Sequence, residues 1–155
     1  MNRKILSSII LLLILTSFAS ALTYSRAGIQ GYVDTYNSNA EKAPDILKGL
    51  IGNETVNVDV TGNDGSVFHV GFEMVNARIN RIVDGGIKDP SIVVVTTQSA
   101  ITNVIHSTNP IAAFQKERDA GQVRVQGNNL LTKAKLEALL SSTSVLQYFA
   151  NVFFG

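Results

Sequence analysis

The 155-residue chain contains no cysteine, which excludes disulfides, thiolate nucleophiles and cysteine-ligated metals and leaves the redox compartment open. Charge is scarce as well, at 16% of residues against 45% hydrophobic. That composition belongs to a globular chain, and the length allows one domain with a substantial core. Lys and Arg number 13 against 12 Asp and Glu. The dense basic face that nucleic acid requires is therefore missing, and no nucleic-acid partner is expected. The chain also lacks a Gly-x-Ser-x-Gly elbow, a Gly-x-Gly-x-x-Gly loop and a Gly-Lys-Ser/Thr phosphate loop, the common signatures of hydrolase and nucleotide sites. With no nucleophile–base pair to name, no enzymatic activity and no cofactor are expected. His69 and His106 stand far apart in sequence and do not supply the clustered ligands that zinc needs, so no metal is expected.

No apolar run is long enough to cross a membrane without help from milder residues. The unbroken stretch Ile9 to Leu15 falls well short of the ~20 residues a spanning helix needs. Its setting is that of a targeting segment: Arg3 and Lys4 precede the apolar region from Ile5 to Phe18, and Ala19-Ser20-Ala21 offers a small-x-small cleavage site. Residues 1–21 are expected to be a signal peptide, with a retained anchor over residues 5–22 as the alternative. Either places the remainder outside the cytoplasm, secreted or membrane-tethered. Removal of Arg3 and Lys4 from the 13 basic residues leaves 11 against 12 acidic ones, so the exported part has no basic bias toward anionic membranes.

Residues 22–40 are small and polar with Gly28 and Gly31, and read equally as a linker or a loose first helix. A helix is expected from Glu41, carrying Ile46, Leu47, Leu50 and Ile51 on one stripe, with Pro44 tolerable near its start and Gly52-Asn53 as its stop. Val56, Val58 and Val60 then alternate with polar residues, and Gly62-Asn63-Asp64-Gly65 signals a hairpin. The second strand sets Phe68, Val70, Phe72 and Met74 against Val67, His69, Gly71 and Glu73. A turn at Asn76-Ala77 leads to a third strand from Arg78 to Val83, which completes an antiparallel meander. Ile92 to Val95 form a β-branched run of the kind covered on both sides. Thr97 can cap a short helix bearing Ile101, Val104 and Ile105. Asn109 can cap a second helix with Pro110 in its first position and Gly121 as its left-handed end. Val123 and Val125 alternate in a last strand. Asn128 or Asn129 then caps a helix with Leu131, Leu136, Leu139 and Leu140, and Val145 to Phe153 continue an apolar stripe beyond Ser141-Ser144. The expected fold is α+β: a mixed five-stranded sheet, the meander plus two further strands, with helices packed on it.

The residues Asp89, Pro90, Asn109, Pro110, Ala113, Phe114, Gly121, Val123, Val125, Gly127 and Asn128 follow in register a pattern that resembles the sterol carrier protein type-2 family. Two departures stand out. Typical members place the glycine three residues after the aromatic, whereas Gly121 is seven after Phe114; the additional Glu117-Arg118-Asp119-Ala120 amounts to about one helical turn. Gln122 replaces the usual basic residue. Glu117, Arg118 and Asp119 read as a solvated helix face.

The resemblance implies a sterol-carrier-like domain over residues 41–155 that holds a lipid ligand (acyl, isoprenoid or sterol-like) in an apolar tunnel without catalysis. It nominates Phe68, Val70, Phe72 and Met74 on the inner sheet face as lining residues. From the helices over that face it nominates Ile101, Ile105, Phe114, Leu136, Leu139, Leu140, Leu146 and Phe149. The same residues can equally form a solid core, in which case the domain is an interaction module of the cell envelope with a filled tunnel. The apolar end Val152-Phe153-Phe154 has to dock over the tunnel mouth, on a membrane surface or on a protein partner of unknown identity. Asn53-Glu54-Thr55 is a glycosylation sequon, usable after export in a host that glycosylates.

Overall fold

Alternation along the chain sets the sheet. Val56, Val58 and Val60 of β1 (Thr55–Thr61) are buried while the residues between them are half-exposed, as a strand with one covered face requires. The computed structural model describes residues 26–154, apart from the side chains of Leu140 and Phe154. The expected signal peptide at 1–21, the alternative anchor at 5–22 and the first residues of the 22–40 segment lie outside the described residues. β2 (Val67–Val75) and β3 (Arg78–Asp84) extend the sheet antiparallel on one side of β1. β4 (Ile92–Thr97) pairs parallel with β1 on the other side, and β5 (Val123–Gly127) pairs antiparallel with β4. The order β3-β2-β1-β4-β5 makes a mixed five-stranded sheet, as expected from the meander and the two later strands.

The described part of the 22–40 segment is a helix, α1 (Arg26–Asn39), with Ile29, Tyr32, Val33 and Tyr36 buried. It covers the exposed edge of the sheet at β3. Asn37 Nδ2 donates to the Ile79 carbonyl (2.9 Å) and Asn37 Oδ1 accepts from the Ile79 N–H (2.8 Å), so one side chain satisfies the edge backbone that would otherwise invite further pairing. The helix expected from Glu41 begins later, as α2 (Asp45–Ile51), after a 3-10 turn at Ala40–Lys42. Pro44 explains the break: it forces the preceding Ala43 into extended backbone, ψ 137°. Of the expected stripe, Leu47 and Ile51 are buried, Leu50 is half-buried and Ile46 is exposed.

The caps read from sequence form as expected. Thr97 accepts from the Ala100 N–H at the start of α3 (Gln98–Ile105), and Asn109 from the Ala112 N–H at the start of α4 (Pro110–Asp119). Asn129 is the one of the two asparagines that caps α5 (Leu130–Leu140), accepting from the Thr132 N–H. Gly121 ends α4 with φ 74°. The Gln122 N–H reaches the Glu117 carbonyl and the Gly121 N–H the Arg118 carbonyl, the paired bonds of a Schellman turn. A sixth helix, α6 (Thr143–Phe154), follows after Ser141-Ser142.

Two expectations are corrected. Leu131 does not join the buried stripe of α5; it and Leu130 are exposed in the first turn, and the face turned inward is Thr132, Leu136 and Leu139. β4 is fully covered on one side only: Ile92 and Val94 are buried, whereas Val93 and Val95 are half-exposed. On the half-exposed side, Asn57 clasps the Ile87 backbone of the loop before β4 through both its amide atoms (2.8 and 2.9 Å).

At the end of β5 the sheet and α5 approach so closely that no side chain fits. A Cβ on Gly127 would lie 2.8 Å from the Lys133 nitrogen and 3.1 Å from the Thr132 carbonyl carbon. Both are backbone atoms that cannot swing away. Gly127→Ala is expected to destabilise the fold by about 1–3 kcal/mol, measured as a lower urea midpoint with an unchanged slope.

Candidate functional site

The site nominated from sequence lies between the inner sheet face and the helices. Register brings Phe72, Val56 and Ile92 into one row across the sheet, and Val70, Val58, Val94 and Val125 into the next. A third row runs Phe68, Val60, Thr96 and Val123. Met74 stays on this face although a bulge at Glu73/Met74 shifts the register against β3.

Ile101 from α3, Phe114 from α4, Leu136 and Leu139 from α5, and Leu146 and Phe149 from α6 close over these rows. With Val70, Phe72 and Met74 they belong to one buried apolar cluster, against which Phe68 and Ile105 pack half-buried. Leu140 ends α5, and its side chain is outside those described. Among the described residues the buried side chains that carry a hydrogen-bonding group are Thr96, Thr132 and the tyrosines Tyr32, Tyr36 and Tyr148, so the interior has little hydrogen-bonding capacity.

Sequence reasoning missed the contribution of α1. Its buried residues at 29, 32, 33 and 36 repeat at i, i+3, i+4 and i+7, the helical signature; Gly28, Gly31 and interleaved polar residues obscured it. Tyr36 lies with its ring parallel to that of Phe149 (centroids 6.1 Å), Phe149 lies parallel to Phe153 (6.5 Å), and Tyr148 meets Phe149 edge-on (5.0 Å). The apolar C-terminus therefore docks, up to Phe153, on its own domain.

Both tyrosines keep their polar ends satisfied. The Tyr36 hydroxyl donates to the Ala77 carbonyl (2.7 Å) and the Tyr148 hydroxyl to the Asn39 carbonyl (3.0 Å). The first of these bonds steadies the tight turn between β2 and β3, where Asn76 and Ala77 hold φ of 50° and 61°, the left-handed pair that a two-residue hairpin requires.

Burial pushes the Tyr36 phenol well above its ordinary pKa, with the neighbouring Tyr148 adding to the shift and Arg78 opposing it. Burial likewise raises Tyr148 from 10.0 to about 12, again opposed by Arg78. Because the folded pKa values are raised, the neutral phenols stabilise the fold fully below pH 10, and this contribution is lost as pH climbs through the folded values. Unfolding free energy is therefore expected to fall above about pH 10, and the combined Tyr36→Phe and Tyr148→Phe variant to show a flatter alkaline limb in urea titrations at successive pH values.

Outside the apolar region, His69 Nδ1 pairs with Asp59 Oδ1 at 2.7 Å on the outer sheet face, and His106 Nδ1 meets the Thr102 carbonyl at 2.9 Å. Among the described residues no group of three or more His, Cys, Asp or Glu is placed to hold a metal ion. Arg118 corrects its sequence reading. It is half-buried and not on a solvated face, and its Nη1 atom is buried with no hydrogen-bond partner.

No protein-family model matches the chain, and no curated protein matches it in sequence. Solved structures do. TT1886, a conserved hypothetical protein from Thermus thermophilus, superposes with a TM-score of 0.53 at 9% identity, over 90% of this chain and 96% of its own. The crystal structure of a sterol carrier protein 2 gives a TM-score of 0.52 at 10% identity, over 84% of this chain and 95% of its own. With five strands in the order β3-β2-β1-β4-β5 and six α-helices among the described residues, this chain has the fold of the sterol carrier proteins.

Proposed function

We propose that the chain binds and carries a hydrophobic lipid, without catalysis, in the apolar region between the inner sheet face and the helices. The observation that carries this reading is the scarcity of polar groups there: one apolar cluster, fed by every described strand and α-helix, in which only two threonines and three tyrosines among the buried residues carry a hydrogen-bonding side chain and none is charged. A long aliphatic ligand needs just that environment. About ten methylenes at ~0.8 kcal/mol each contribute roughly 8 kcal/mol before association costs, which corresponds at best to micromolar binding. Kinship of fold with a protein named for carrying sterols supports the reading by analogy.

The signal-like residues 1–21 support action outside the cytoplasm, with the domain released or tethered through residues 5–22. No helix among the described residues is long and apolar enough to cross a membrane. The exposed Leu130 and Leu131 are the residues we would place nearest a membrane surface during lipid exchange.

One observation favours a second reading, the envelope interaction module with a filled interior. Phe149 of α6 is buried against Tyr36, and Phe153 is buried against Phe149, so the two rings take up interior space that a ligand could otherwise use. Native mass spectrometry of the purified protein, followed by organic extraction, separates the two. A copurifying lipid near stoichiometric mass is the result expected of a carrier. An empty protein that also refuses fluorescent fatty acid would overturn it in favour of the module.

A further inference from the structure

Asn53-Glu54-Thr55 is a motif that lipid binding does not use, and no other asparagine of the chain is followed two places on by serine or threonine. It lies in the turn that joins α2 to β1. On either side of Asn53 the backbone is fastened to the β2–β3 hairpin. The Gly52 carbonyl accepts from the Ala77 N–H (2.9 Å), and the Glu54 carbonyl from the Met74 N–H (3.0 Å). Gly52 is buried, and the Glu54 carboxylate turns back to pair with Lys135 at 2.7 Å. Of these three residues only Asn53 is exposed.

The two ends of the Asn53 amide differ. Oδ1 accepts from the Asn76 N–H (3.1 Å), whereas Nδ2 makes no hydrogen bond among the described residues. Nδ2 is the atom that a sugar joins at such a sequence. The product keeps the carbonyl oxygen and one N–H, so the bond to Asn76 and both backbone fastenings survive the modification. A bulky, water-seeking group needs room outside the fold, and an exposed turn provides it.

Thr55 is placed differently. It opens β1 opposite Glu73. Its Oγ1 atom accepts from the Ser91 N–H (3.0 Å), and its own N–H donates to Ser91 Oγ (3.0 Å). The hydroxyl that completes the motif is therefore half-buried and occupied once the sheet has closed. An enzyme can read asparagine and threonine together only on a chain that has not yet folded.

We propose that Asn53 is N-glycosylated as the chain emerges on the far side of the membrane, before β1 pairs. The donor is an oligosaccharide carried on a lipid phosphate. A bond forms between the anomeric carbon of the sugar and Nδ2, and the bond from that carbon to the phosphate oxygen breaks. The amide gives up one proton and the lipid phosphate departs. The proposal rests on the extracytoplasmic reading above and is independent of what the interior binds.

The test isolates the full-length protein from the cells that make it, separating exported from cytoplasmic material. The exported protein is expected to exceed the mass of its chain by one glycan, carried on the peptide that contains Asn53. Asn53→Gln and Thr55→Ala, expressed in the same cells, are expected to lose the excess completely, and Thr55→Ser to keep it. Because transfer precedes folding, none of these readouts requires a folded variant. Translation of the chain in the presence of membranes from those cells is expected to give the glycosylated form, and the same membranes added to the finished fold to give none. Exported protein with Asn53 unmodified overturns the proposal and leaves the export reading standing. Protein found only in the cytoplasm and unmodified overturns both. Equal transfer to the finished fold overturns the order of events.

Discussion

Phe149→Ala is expected to lower the unfolding free energy by about 3–5 kcal/mol, the range for truncating a fully buried phenylalanine. Phe149 is 0% exposed and meets three aromatic rings, those of Tyr36, Tyr148 and Phe153. Its removal forfeits their packing and leaves a cavity between α1 and α6 that neither helix can close alone. The aromatic contacts add about 0.5–1.5 kcal/mol per pair beyond the area buried, which places the expectation toward the top of the range. Urea unfolding followed by tyrosine fluorescence and far-ultraviolet circular dichroism measures it. A loss below about 1 kcal/mol, or a separate early transition for the C-terminal helix, would show that α6 is not part of the cooperative unit. The same cavity bears on function. If α6 fills what would be a tunnel, Phe149→Ala should open one and permit uptake of a small apolar probe that the wild type rejects.

The second large effect concerns Leu136, which α5 presents to the interior at 7% exposure beside the fully buried Leu139. Leu136→Trp adds the volume of an indole ring to that interior, and the two functional readings assign that volume opposite consequences. In a carrier, the tryptophan occupies ligand space: lipid uptake is expected to be lost, with lipid-free stability within about 1 kcal/mol of wild type, since the new ring fills a void instead of displacing neighbours. In a domain whose interior is already filled, the same ring overpacks the core and costs about 1–3 kcal/mol, with no binding to lose. Measuring lipid uptake and urea stability on one preparation therefore distinguishes them. A folded Leu136→Trp variant of undiminished affinity would remove this region from the lipid site altogether.

Much of the architecture was legible locally. The alternation at Val56, Val58 and Val60, the capping oxygens of Thr97 and Asn109, the proline at position 110 and the glycine at 121 are each satisfied within a few residues of chain, and the structure places all of them as read, while it picks Asn129 from the two asparagines that could cap α5. The failures were of another kind. Ile46 and Leu131 have the same chemistry as Leu47 and Leu136 yet face solvent, because which part of an apolar stripe is covered depends on where neighbouring helices lie. The α1 helix was obscured because glycines and polar residues lower its apparent propensity, while its stability comes from packing on β3 and α6, and tertiary packing routinely overrides propensity. Arg118 in the sequence Glu-Arg-Asp reads as surface, and only the folded chain buries its Nη1 atom.

By itself, then, the sequence determined the order of the elements from α2 onward, most of the turns and caps, the α+β class and an apolar interior poor in charge, since these follow from backbone chemistry and hydrophobic period along a few consecutive residues. The tertiary structure decided which apolar residues close the interior, how the C-terminal helix stacks on Tyr36, and where Thr96 and Arg118 are stranded without partners. Burial and an unmet hydrogen bond are properties of distant segments brought together, and they arise only when the chain closes on itself.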